Sequence, residues 1–192
     1  VVWPLSFVAL LPLLALAERR VGAWKTVLAG SLAGFILTGV GTSWFFGVLP
    51  FHSGFANVSP FLAFLFVFTN WFLVNLVIGP SLGLWALCVR ELDLSHPLGQ
   101  FAAALLLPAV EFARMIAFAA LSFAPHVGNP IFFSAGFLGY PLADDLGLRQ
   151  LAAYGGVYVL SFIAAYANVL FYRALVSSRS RASVRYAALF AL

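Results

Sequence analysis

Five apolar runs, at residues 1–17, 24–49, 58–89, 98–123 and 150–172, follow one another with only short polar breaks between most of them, and 186–192 begins a further run. In hydrocarbon, every backbone N–H and C=O must find its partner within the protein, so a segment of ~20 apolar residues crosses a bilayer as a helix. Runs of this length therefore predict an all-α fold: a polytopic transmembrane helical bundle of about five to six spans. The composition agrees, with 64% hydrophobic and 8% charged residues, where a soluble domain carries about a quarter charged. The spans are read as a single membrane domain over 1–192, with 124–149 as a folded outer loop. The first run leads only into more apolar sequence, so it reads as a span rather than a secretory signal. The chain opens on VVWPLSF without Met and closes on RYAALFAL inside an apolar run. It is expected to be a piece of a longer protein.

Local patterns refine this outline. The run at 58–89 exceeds an upright span, and IGPS (78–81) is expected to kink it, since Pro80 lacks a backbone donor and crowds the preceding turn. GSLAG (30–34), continued by Thr38, places small side chains on one helix face and allows a neighbouring backbone to come close. PHVGNPIFFSAGFLGYPLADDLGLR (125–149) is rich in Pro, Gly and aromatics, which suits a folded interfacial loop better than a helix. Lys and Arg set the orientation. The breaks at 18–25, 90–97 and 173–185 share one side by parity and hold eight basic residues, against Arg149 alone on the other. The positive-inside rule puts the basic breaks in the cytoplasm, with loop 124–149 and the loop Phe51–Asn57 extracytoplasmic.

Glu111 and Arg114, in LLLPAVEFARMIAFAAL (105–121), are the two charges inside the membrane region. Each costs about 2.5–3.5 kcal/mol at a helix centre, so both should face the bundle interior. Their i, i+3 spacing sets them on one face. Two readings follow: a structural ion pair that fixes packing, or a lipid-contact site in which Arg114 meets a phosphate and Glu111 orients it. His52, His96 and His126 show no metal-ligand spacing and read as solvated or capping residues. Cys88 and His126 fall on opposite sides, about a bilayer apart, which rules out a cysteine-peptidase arrangement. No G-x-S-x-G, P-loop or G-x-G-x-x-G is present, so neither a metal nor a cofactor is implied, and no basic surface for nucleic acid. Asp144 and Asp145 are expected to cap or solvate the following helix. Trp44, Phe45, Phe46, Trp71 and Tyr140 read as interface anchors, and Asn70, Asn75 and Asn168 as donors between helices.

Two stretches together resemble a known family. LLLPAVEFARMIAF (105–118) resembles the P-A-x-W-x-x-x-E-x-x-R span of the apolipoprotein N-acyltransferases. GYPLADDLGLRQLAAYGGVYVLSF (139–162) is similar to their G-Y-S-Q-x-D-x-x-L-x-Q-x-A-x-x-G-G-V-Y-G-L-S-F segment. WPLSFVALLPLLAL (3–16) and LAGSLAGFILTGVGTSWFF (28–46) look like their second and third spans, with Trp44 at the place of a characteristic Trp. Tyr140 and Tyr158 fall on motif positions too. The family's G-F-P-W reads GNPI (128–131) here, with Ile131 for the Trp, and G-Y-S-Q reads GYPL (139–142). The resemblance implies a bacterial inner-membrane protein that is the membrane platform of an acyltransferase. In that family a nitrilase-like domain follows these helices. It moves an acyl chain from a phospholipid, through a Cys thioester, to the N-terminal amine of a diacylglyceryl-cysteine lipoprotein. The implied partners are membrane phospholipid and, through that domain, the lipoprotein. No catalytic residue is then expected in 1–192, and Cys88 does not match the catalytic Cys. Alternatives are a membrane-only relative serving as scaffold or partner subunit, or a small-solute transporter. The transporter would call for inverted repeats with paired broken helices, and none is visible.

Overall fold

The computed structural model describes residues 3–49, 58–121 and 132–190, with side chains as far as residue 177. His52, the loop 51–57, His126, Ile131 and the rest of GNPI (128–131) lie outside the described residues. Seven α-helices appear among those described: α1 (Leu11–Glu18), α2 (Ala23–Gly41), α3 (Pro60–Ile78), α4 (Pro80–Arg90), α5 (Pro97–Leu121), α6 (Leu146–Leu151) and α7 (Gly156–Phe190). Many of the starts are written in the sequence. Pro12, Pro60, Pro80 and Pro97 each sit in a first turn, where the missing N–H has no helical partner to lose. Ser59 caps α3 by accepting from the Leu62 N–H at 3.3 Å.

Among the described residues, four segments are long and apolar enough to cross a membrane: Ala23–Val48, Pro60–Arg90, Pro97–Leu121 and Gly156–Ser177. The first run forms a shorter apolar helical stretch, Trp3–Glu18. IGPS acts as expected, since α3 ends at Ile78 and α4 begins at Pro80 after one residue. The basic segment 173–185 differs from expectation. Its composition reads as a polar break between spans, but α7 runs through it to Phe190. Charge and Ser content mark a helix leaving the apolar layer, not a helix ending, and no Gly or Pro follows Gly156 to stop it.

The core joins α1, α4, α5 and α7, with Leu14, Trp85, Leu107, Leu160 and Val169 all at or below 1% exposure. Helix α2 packs along α4, and the small stripe is the reason. A Cβ on Gly30 would lie 2.6 Å from the Gly83 Cα, and one on Gly34 would lie 2.1 Å from the Gly79 carbonyl oxygen. The two backbones are in contact. Asn75 donates across to Thr42 Oγ1 at 2.8 Å, and Trp71 Nε1 donates to the Gly39 carbonyl at 3.1 Å, fastening α3 to α2. Asn168 ties α7 to the N-terminal stretch. Its amide donates to the Ser6 carbonyl at 2.6 Å and accepts from the Leu10 N–H at 2.8 Å. Asn70 was expected to bond between helices, but it donates within α3 to the Phe66 carbonyl. It faces outward, where its own helix is the nearest acceptor. Phe61, Leu65, Leu73 and Leu76 are also exposed along α3, an apolar face that suits lipid rather than water.

Candidate functional site

Helix α5 buries one stripe: Ala104, Leu107, Pro108, Glu111 and Arg114 recur at three- and four-residue steps. The two charges therefore point into the protein, at 5% and 7% exposure. They do not grip each other. The ion pairs within 4 Å among the described residues are Arg173 with Glu18 and Arg90 with Glu91, so the reading of Glu111 and Arg114 as a direct ion pair is corrected. Each instead reaches the loop between α5 and α6. Glu111 Oε1 accepts from the Leu138 N–H at 2.8 Å, and Arg114 Nη2 donates to the Ala135 carbonyl at 3.0 Å. The guanidinium also lies over the Phe137 ring, 4.7 Å from its centroid, in cation–π range. The physical reason is backbone supply. A loop that crosses a bundle brings N–H and C=O groups that no helix satisfies, and two buried charges are strong partners for them.

The loop itself is folded. It turns through a 3-10 segment at Tyr140–Asp144, then α6, then a second 3-10 turn at Ala152–Tyr154. Gly136 has φ +78°, and a Cβ there would meet Thr38 Cγ2 at 2.6 Å, so only glycine lets this strand of loop lie on α2. From α7, Ser161 Oγ accepts from the Gly139 N–H at 2.9 Å. Three helices, α2, α5 and α7, thus hold residues 135–139. Asp145 caps α6 by accepting from the Leu148 N–H at 2.9 Å, while Asp144 is exposed. Both match expectation.

The motif positions converge only in part. Tyr140 and Tyr158 flank Phe137, with ring centroids 6.0 and 5.6 Å away, so they share one aromatic cluster with Arg114. The Tyr140 hydroxyl shares a 2.6 Å hydrogen bond with Ser134 Oγ, and the Tyr158 hydroxyl donates to Met115 Sδ at 3.6 Å. Trp44 is exposed and packs on Phe45, which touches Phe133 of the loop. Cys88 lies in the last turn of α4. Glu111 lies 14 residues along α5, or about 20 Å from that end at 1.5 Å per residue. Cys88 takes no part in the site. Among the described residues no three of His, Cys, Asp or Glu gather as a metal would require.

Sequence reasoning missed two features. Trp85 is fully buried and donates from Nε1 to the Ala103 carbonyl at 2.9 Å, pinning α4 to α5. It also missed a cavity of about 1060 Å³ between the N-terminal stretch, α2 and the loop, lined by Leu10, Ala33, Leu37, Val40, Phe133 and Leu138 among others. Its few polar groups include the Ser134–Tyr140 pair, and its size is at the upper end for a small-molecule site. The aromatic run IFFSAGF (131–137) and the short side chains of α2 were its only sequence signal.

Comparison with curated proteins and with solved structures gave no match. Over residues 1–170 the sequence matches the family described as apolipoprotein N-acyltransferase N-terminal domain. With four apolar spans among the described residues, this makes the chain a multi-pass membrane protein, and it belongs to the apolipoprotein N-acyltransferase N-terminal domain family.

Proposed function

We propose that the chain is the membrane platform of an apolipoprotein N-acyltransferase in a bacterial inner membrane. The observation that carries this is the family match over residues 1–170. The basic ends at 18–25, 90–97 and 173–185 face the cytoplasm, as the charge bias favours, and loop 132–155 faces outward. The reaction runs in two steps on a catalytic Cys supplied by a nitrilase-like domain. The thiolate attacks a phospholipid ester carbonyl, forming a thioester and releasing a lysophospholipid. The α-amine of a diacylglyceryl-cysteine lipoprotein then attacks the thioester, forming an amide and freeing the thiol. This replaces one hard transfer with two easier ones. Residues 1–192 contribute anchoring and a lipid-facing berth. The cavity of about 1060 Å³ beside the outer loop is apolar and suits a phospholipid acyl chain.

The test is complementation. The gene that encodes this chain, read through past the codon for Leu192, is expressed in bacteria depleted of their own N-acyltransferase. Mass spectra of lipoprotein N-termini should show a third acyl chain. Diacylated N-termini alone, from protein that accumulates in the membrane, would defeat the proposal.

A further inference from the structure

The segment 135–138 has two faces. On one side Ala135, Gly136, Phe137 and Leu138 wall the large apolar cavity. On the other, Gly136 and Leu138 meet a small space lined by Thr38, Ser81, Glu111 and Arg114. Neither Glu111 nor Arg114 lines the large cavity, yet their hydrogen bonds end on the backbone of its wall. The geometry points to Glu111 and Arg114 as positioning residues that hold segment 135–138 as the wall of a phospholipid acyl-chain site. This rests on the lipid-berth reading above and adds to it the residues that set the berth's shape.

Three observations support the assignment. Glu111 fixes an N–H and Arg114 a C=O three residues apart, so the wall is held at both ends of one turn. Gly136, between them, adopts a backbone conformation that other residues rarely take and rests on Thr38, which leaves little slack toward α2. The arginine also presses on Phe137, whose ring lies beside Tyr140 at the cavity edge. Loss of either side chain removes a charge-assisted bond from a wall whose cavity side is mostly apolar. The wall can then relax into the cavity.

The experiment uses the full chain in nanodiscs containing a phospholipid with a photoreactive diazirine in its acyl chain. Labelled peptides are mapped by mass spectrometry. The wild type should label residues 132–141 and the facing part of α2, besides the exposed face of α3 around Phe61 and Leu62. Glu111→Ala and Arg114→Ala should each lower labelling of 132–141 by about tenfold, the equivalent of one charge-assisted bond, with α3 labelling unchanged. Glu111→Gln keeps an acceptor oxygen for the Leu138 N–H and should label like the wild type. Val40→Trp adds bulk at the cavity mouth from an exposed position and should also abolish labelling of 132–141. If Val40→Trp abolishes it while folded alanine variants label normally, the positioning role is overturned and the berth stands. If Val40→Trp changes nothing, or only a free diazirine fatty acid labels the loop, the berth itself is overturned. Should the alanine variants not fold, Glu111→Gln against Glu111→Met makes the same comparison at nearly constant side-chain length. Equal labelling of those two would overturn the role.

Discussion

Glu111→Ala removes more than one hydrogen bond. It deletes a charge-assisted bond of about 1.5–3 kcal/mol and strands the Leu138 N–H, whose residue is 3% exposed. It also leaves Arg114 buried with its nearest counter-charge gone. Breaking buried charge arrangements of this kind costs about 3–5 kcal/mol, and that is the expected loss. Arg114→Ala should cost a similar amount. It strands the Ala135 carbonyl, gives up the contact with Phe137, worth about 0.5–2 kcal/mol, and isolates Glu111. The double variant removes both charges from the interior, so each single penalty for an uncompensated charge disappears. It should cost less than the sum of the singles, with a coupling of about 1–3 kcal/mol. The assay is denaturation by sodium dodecyl sulfate in mixed micelles, followed by circular dichroism for the wild type and the three variants. Additivity within about 0.5 kcal/mol is the opposite outcome. It would mean that the two side chains serve the loop independently and that the field between them is negligible.

Other outcomes follow from particular contacts. Gly34→Ala sets a Cβ 2.1 Å from the Gly79 oxygen, backbone against backbone, and should destabilise by about 1–3 kcal/mol. Gly22→Ala, with nothing within 4 Å, should stay within about 0.5 kcal/mol in the same denaturation. Asn168→Leu keeps the branched shape but strands the Leu10 N–H and the Ser6 carbonyl, for an expected loss of about 2–4 kcal/mol. The Asp93 carboxylate, in the turn between α4 and α5, accepts from the Ser95 hydroxyl at 2.6 Å and its N–H at 2.9 Å. The Ser95 hydroxyl, then its N–H, hold the Asp93 pKa below the ordinary aspartate value. The sign follows: the turn's contribution is complete above the ordinary value and is lost as pH falls through the lowered one. An NMR titration of the carboxyl should show a lowered midpoint that returns upward in Ser95→Ala.

Much of the bundle was legible because membrane helices obey local rules. Run length located the long spans, Pro80 the break, and the Gly30–Gly34–Thr38 stripe the closest packing. Asn75 and Asn168 were legible as bonds between helices because a buried amide in an apolar run has few other fates. The site was legible only in its residues. The spacing of Glu111 and Arg114 suggested that they meet each other, since i, i+3 side chains can. Their actual partners lie 27 and 21 positions away, in a loop whose unsatisfied backbone no local rule describes. Trp85 resembles the interface tryptophans in composition and differs only in its surroundings. The helix through 173–185 was hidden for another reason: polarity reports where a segment leaves the apolar layer, not whether its backbone stays helical.

If α5 holds the loop 132–145 on the bundle, hydrogen exchange of the loop amides reports it. In wild-type protein and in Glu111→Gln, a peptide covering 134–140 should exchange slowly, as a segment anchored by α5 and α7 must. In Glu111→Ala the same peptide should lose most of its protection while peptides from α4 and α7 keep theirs. Unchanged protection of 134–140 in a folded Glu111→Ala protein would mean that the loop is held by something other than the hydrogen bonds of Glu111 and Arg114.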